Sequence, residues 1–139
     1  MKSMFSKLRW ATITLAALLC FATSVVIVTP AASAETYTIK MGSDNGNLAF
    51  QPAMIKVKHG DVVQWLNNKL PPHNVMFDAT KVPAEEKTKV ASLSHGQLMI
   101  KPGENYELAI STDLVSGEYS YYCAPHRGAG MAGKIIVED

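Results

Sequence analysis

Tyr119-Ser120-Tyr121-Tyr122-Cys123-Ala124-Pro125-His126-Arg127-Gly128-Ala129-Gly130-Met131 reads as a strand that runs into a loop. Tyr119, Tyr121 and Cys123 stand two apart, the spacing at which the side chains of a strand share a face, so one face carries two aromatics and then a thiol. Pro125, Gly128 and Gly130 then let the chain turn back. The same period recurs upstream. Tyr37, Ile39 and Met41 alternate with Thr36, Thr38 and Lys40; Ile55 and Val57 alternate with Lys56 and Lys58; Val63 and Trp65 alternate with Val62 and Gln64, after a turn at His59-Gly60-Asp61. Further runs at 74–77, 105–110 (Tyr106, Leu108 and Ile110 inward), 117–123 and 133–137 are punctuated by turn signals at 42–47, Pro71-Pro72, Lys101-Pro102-Gly103 and Ser116-Gly117. Only 83–90 leans helical, with Pro83 first, Glu85 and Glu86 early and Lys87 and Lys89 late, as the helix dipole favours. Seven or eight short strands and one short helical turn predict an all-β fold, an antiparallel Greek-key sandwich.

At 139 residues and 47% hydrophobic content, the chain has material for one modest domain. The first residues are set apart: Lys2, Lys7 and Arg9 precede an apolar run over 11–28, and Ala32-Ser33-Ala34 offers the small-x-small pattern of signal peptidase. The expectation is an export signal over residues 1–34, cleaved after Ala34, and a mature domain over 35–139. An uncleaved anchor is the rival, disfavoured by Pro30 and by the lack of a basic stop-transfer cluster. A lipid-modified Cys20 is disfavoured by Leu19, where a small residue belongs.

Taking away the three basic residues of that signal leaves ten Lys and Arg against twelve Asp and Glu. No clustered basic footprint for nucleic acid remains. Of the two cysteines, Cys20 lies in the signal and Cys123 in the mature domain, so no internal disulfide can form. A lone thiol in an exported, oxidising compartment needs burial or a ligand.

Cys123, His126 and Met131 put a thiolate, an imidazole and a thioether within nine residues. Zinc ordinarily recruits four strong donors, whereas a methionine in the set points to copper, held by two His and one Cys with a weak axial thioether. His73, in Leu70-Pro71-Pro72-His73-Asn74-Val75, is the best second histidine because it opens a strand after a rigid Pro-Pro loop. His59, in a charged turn, and His95, in a polar Ser94-His95-Gly96 loop, read as surface residues. Taken singly, a buried Cys, a strand-end Met and a His beside Pro each suit a structural role. Their joint occurrence favours one copper ion. Asn74 is expected to tie the two ligand segments together by hydrogen bonding.

The segments Pro-Pro-His-Asn-Val, Tyr-Tyr-Cys-x-Pro-His-Arg-Gly-Ala-Gly-Met and Gly-Ser-Asp-Asn-Gly-Asn-Leu-x-Phe-x-Pro resemble the plastocyanin family, cyanobacterial in type, over essentially all of 35–139. The resemblance implies a cupredoxin sandwich and a single copper that cycles between Cu(I) and Cu(II), with ligands at His73, Cys123, His126 and Met131. It implies a soluble one-electron carrier, not an enzyme, moving electrons from cytochrome f to photosystem I in the thylakoid lumen. A monomer is expected, touching membrane complexes only transiently. It further implies an electron port at His126, an apolar docking collar with Leu48, Pro72, Pro125, Gly128 and Ala129, a charge at Arg127 and a surface tyrosine at Tyr122.

Two other binding functions use similar donors: a periplasmic pseudoazurin-like electron donor and a copper storage or delivery protein. The seven scattered methionines supply no Met-rich tract for handing copper over. A nucleophilic-cysteine enzyme would leave Met131 and the second histidine without a role.

Overall fold

The computed structural model describes residues 33–139, so the expected export signal lies outside the described residues except for Ser33 and Ala34. The strands are β1 (Thr36–Met41), β2 (Phe50–Gln51), β3 (Met54–Lys58), β4 (Val62–Asn67), β5 (His73–Phe77), β6 (His95–Met99), β7 (Asn105–Ala109), β8 (Gly117–Tyr122) and β9 (Ala132–Glu138). One sheet has the order β2-β1-β4-β7 and the other β3-β9-β8-β5-β6. The β-sandwich read from the period-two pattern is therefore present, with nine strands in place of seven or eight.

Its pairing is mixed. β1 runs parallel to β4, and β3 runs parallel to β9, while the remaining pairs are antiparallel. Parallel neighbours need a crossover, and the path from β1 to β4 takes one by passing through β3 of the opposite sheet.

Between the sheets lie Ile39, Met41, Val63, Trp65, Val75 and Ile135, each fully buried, with Phe77, Tyr119 and Tyr121 beside them. Full burial of one such side chain stabilises the fold by about 1.5–3 kcal/mol. Trp65 sits at the centre, edge-on to Tyr121 with centroids 5.3 Å apart and stacked on Tyr106 at 5.6 Å.

The helical stretch is a 3₁₀ turn over Ala84–Lys89 followed by a single α-turn, α1 (Val90–Leu93). Glu86 faces inward, fully buried, where Oε1 accepts from Lys89 Nζ at 3.2 Å and from the Val115 N–H at 3.3 Å. His95 is not in a loop but opens β6, half-buried and stacked on Tyr106 at 4.9 Å. His59 is also half-buried, its Nε2 bonded to the Leu114 carbonyl at 2.8 Å.

Candidate metal centre

One end of the sandwich gathers the residues selected for their donor chemistry. β5 opens on His73, and β8 ends one residue before Cys123. Both residues are fully buried, because β5 and β8 are adjacent strands of the same sheet and their ends lie under the loop that follows Cys123. That loop folds back through backbone hydrogen bonds. The His126 N–H reaches the Cys123 carbonyl at 3.2 Å, and a 3₁₀ turn over Arg127–Ala129 follows. Gly130, with φ +79°, reverses the chain so that the Met131 N–H donates to the His126 carbonyl at 3.2 Å and the Cys123 N–H to the Met131 carbonyl at 3.0 Å. Met131 is thereby placed beside Cys123 with 1% exposure.

His73 Nε2 lies 2.7 Å from the Lys69 carbonyl. A carbonyl only accepts, so Nε2 carries the hydrogen and Nδ1 of the neutral ring presents a bare lone pair. That Nδ1 is 3.6 Å from Cys123 Sγ and 3.2 Å from His126 Nδ1, which is 3.5 Å from the same sulfur. His73, Cys123 and His126 form a group able to hold a metal ion, with all three donor atoms within 4.8 Å of one another. An ion bonded to sulfur at about 2.3 Å and to nitrogen at about 2.0 Å spaces such donors by roughly 3.3–3.7 Å at angles between tetrahedral and trigonal. The observed spacing fits a single first-row metal ion, and one soft sulfur with two imidazoles suits copper.

The electrostatics favour neutral protein groups. Burial pushes the His73 imidazole below its ordinary pKa, the Lys69 carbonyl partly opposes this, and His126 adds to the lowering. Burial raises the Cys123 thiol, against the backbone N–H groups of Asn74 and His126 that stabilise its anion. A cation entering this cluster therefore displaces a proton from sulfur.

Asn74 is buried, its Oδ1 accepting the Ala124 N–H at 2.8 Å and its Nδ2 donating to the Gly96 carbonyl at 3.2 Å. It thus joins β5 to the loop beyond β8 and to β6. His126 is half-buried, while Pro125, Arg127, Gly128 and Ala129 around it in sequence are exposed; Leu48 and Pro72 are half-buried. The Arg127 guanidinium lies 4.1 Å over the Tyr122 ring, and its Nη2 is 4.0 Å from Asp78 Oδ2. A groove of about 590 Å³ runs past these residues, between Asp78, Tyr122, Arg127 and Lys134.

Sequence reasoning missed two contributors. The Lys69 carbonyl is a backbone group whose role depends on the turn before Pro71, and no residue type announces it. Asp78 had a weak signal in its place at the end of the Asn74–Phe77 run, but only the fold brings it to Arg127.

The profile of the copper-binding proteins of the plastocyanin/azurin family matches residues 37–138. The chain is 43% identical over 138 residues to a plastocyanin of Nostoc punctiforme, covering 99% of each chain. It is 50% identical over 114 residues to a plastocyanin of a Synechococcus strain, covering 82% of each. Among solved structures, a mutant plastocyanin of fern, known in oxidised and reduced forms, superposes with a TM-score of 0.61 at 28% identity, over 73% of this chain and 99% of that one.

Proposed function

The chain belongs to the plastocyanin/azurin family of copper-binding proteins, electron carriers rather than enzymes, and from that premise we propose that His73, Cys123, His126 and Met131 together hold one type 1 copper ion. The observation that carries this assignment is the convergence of two imidazole Nδ1 atoms and one thiol sulfur, spaced 3.2–3.6 Å apart, with Met131 buried alongside. Copper bound there supplies one electron at a time by changing valence.

The protein's part is to hold the donors still. Lys69 fixes the His73 ring, Asn74 ties Ala124 to β5, and the Cys123–Met131 and His126–Met131 backbone bonds close the loop. Donors that barely move between oxidation states keep the cost of rearrangement low, which is what rapid electron transfer requires.

In this reading His126, the most exposed of the three clustered donors, is the port for electrons. Leu48, Pro72, Pro125, Gly128 and Ala129 form its apolar collar, a surface suited to brief, weakly polar docking. Arg127 and Tyr122 mark its charged flank. The partners are cytochrome f as donor and photosystem I as acceptor, in the thylakoid lumen, with residues 1–34 removed on export and the mature protein a monomer. The similarity to cyanobacterial plastocyanins at 43–50% identity supports this choice of partners over a periplasmic reductase.

Adding copper(II) to the purified protein should produce an intense red-region thiolate-to-copper charge-transfer band and narrow copper hyperfine splitting in electron paramagnetic resonance, both lost in Cys123→Ser. A colourless protein, or a spectrum indifferent to Cys123, would sink the proposal.

A further inference from the structure

We infer that Gly42, outside the donor cluster and 31 residues before His73, positions the His73 imidazole by leaving room for the carbonyl that orients it. That carbonyl is the Lys69 oxygen, 2.7 Å from His73 Nε2. The segment bearing it is fastened to the end of β1. The Asn68 and Lys69 N–H groups both donate to the Met41 carbonyl, at 3.0 and 3.1 Å, and Asn68 Nδ2 donates to the Gly42 carbonyl at 2.7 Å. Leu70 then takes φ +58°, a left-handed conformation unusual for its residue type, as the chain turns toward Pro71.

The contact at Gly42 is closer than a side chain allows. A Cβ there would stand 1.9 Å from the Lys69 oxygen, 2.6 Å from its carbonyl carbon and 3.0 Å from its Cα. All three are backbone atoms, so no rotamer change relieves the overlap. Restoring even 3.0 Å to the oxygen requires a movement of about 1 Å, enough to re-aim or break a 2.7 Å hydrogen bond. With that bond gone, nothing at Nε2 keeps the hydrogen there. The tautomer with hydrogen on Nδ1 would block the atom that faces Cys123 and His126.

Gly46 separates this role from a simple need for glycine in a turn. Its φ is +81°, against +79° at Gly42, yet among the described residues nothing beyond its two chain neighbours lies within 4 Å of a Cβ built on it. Gly42→Ala and Gly46→Ala thus impose the same backbone demand, and only the first presses on the Lys69 carbonyl.

The inference rests on reading His73 as a ligand, so the deciding measurement is made on metal-free protein, where a failure to bind copper has no bearing. In nitrogen-edited NMR the hydrogen-bonded Nε2–H of His73 should be protected in the parent protein and in Gly46→Ala. In Gly42→Ala its signal should vanish or exchange at least about tenfold faster. In copper-loaded samples, the reduction potential should shift in Gly42→Ala and stay put in Gly46→Ala. If Gly42→Ala does not fold, Asn68→Ala decides the matter, since it releases the Gly42 carbonyl, together with an exposed bond to Asp44 Oδ1 at 3.2 Å, without adding an atom and should give the same change to a smaller degree. A folded Gly42→Ala with the His73 signal of Gly46→Ala overturns the inference. So does an Asn68→Ala protein that protects His73 as the parent does.

Discussion

Replacing Asn74 tests whether the two ends of the metal cluster are held together by the protein itself. Asn74→Ala deletes two hydrogen bonds, from the Ala124 N–H at 2.8 Å and to the Gly96 carbonyl at 3.2 Å, both anchored on a side chain with 4% exposure. At about 0.5–1.5 kcal/mol each, the loss is about 2 kcal/mol. For a domain of this size, at about 4–8 °C per kcal/mol, the melting temperature of the metal-free protein should fall by about 10 °C. In the copper-loaded protein the fall should be smaller, because the proposed ligation from His73 on one side and Cys123 and His126 on the other would join the same two segments a second time. Asn74→Asp sharpens the comparison. It keeps an acceptor for Ala124 but turns a carboxylate oxygen toward the Gly96 carbonyl, acceptor against acceptor, and should cost at least as much. Differential scanning calorimetry of both variants, with and without copper, reads all four values. A metal-free shift under about 2 °C for Asn74→Ala would refute the reasoning, since it would mean that water replaces both bonds at no cost.

Three further outcomes follow from the same structure. The buried Tyr121 hydroxyl and the buried Trp65 indole N–H lie close to each other, and among the described residues neither has a well-formed hydrogen bond, so Tyr121→Phe should raise stability by up to about 1 kcal/mol in urea titration; a loss instead would mean that the Trp65 N–H does bond to the hydroxyl. The Cys123 thiol, raised by burial, is protonated near neutral pH and must lose its proton to bind a cation. From about neutral pH upward, where imidazoles are ordinarily uncharged, copper affinity should therefore rise about tenfold per pH unit while pH stays below the thiol pKa, and a flat profile in competition titrations would contradict it. Because Asp78 stands beside the one arginine next to the proposed port, electron-transfer rates with a physiological-type partner should change only about threefold or less between low and moderate salt, and a steep decline in stopped flow would count against weak electrostatic steering.

The sheets were legible where burial is one-sided. Residues of β1, β4 and β8 alternate between core and surface, and a one-residue slip would turn Ile39, Trp65 or Tyr121 outward, so the period-two signal is strong there. β2 has only two residues, too few to show a period. β6 exposes Gly96, Gln97 and Leu98 in succession, and its first residue follows a Ser in what reads as a polar loop, so pattern alone gives no strand. The parallel pairings were not legible at all. Strand direction within a sheet depends on which sheet each intervening strand joins, a long-range choice that local alternation does not encode.

The donor cluster divides along the same line, between side chains and backbone. Cys123, His126 and Met131 are neighbours in sequence, and His73 and Asn74 follow a Pro-Pro loop, so their joint occurrence, rather than any one residue alone, marks them as candidates. What sets the ring of His73 is a peptide oxygen, and what gives that oxygen its place is a missing Cβ at Gly42 together with two amides bonded to the Met41 carbonyl. Side-chain identity says which atoms can bind a metal; backbone packing from a different part of the chain says which lone pair points at it. A substitution far from every donor can therefore alter the centre as surely as one beside it, provided that it moves the peptide on which a ligand's second nitrogen rests.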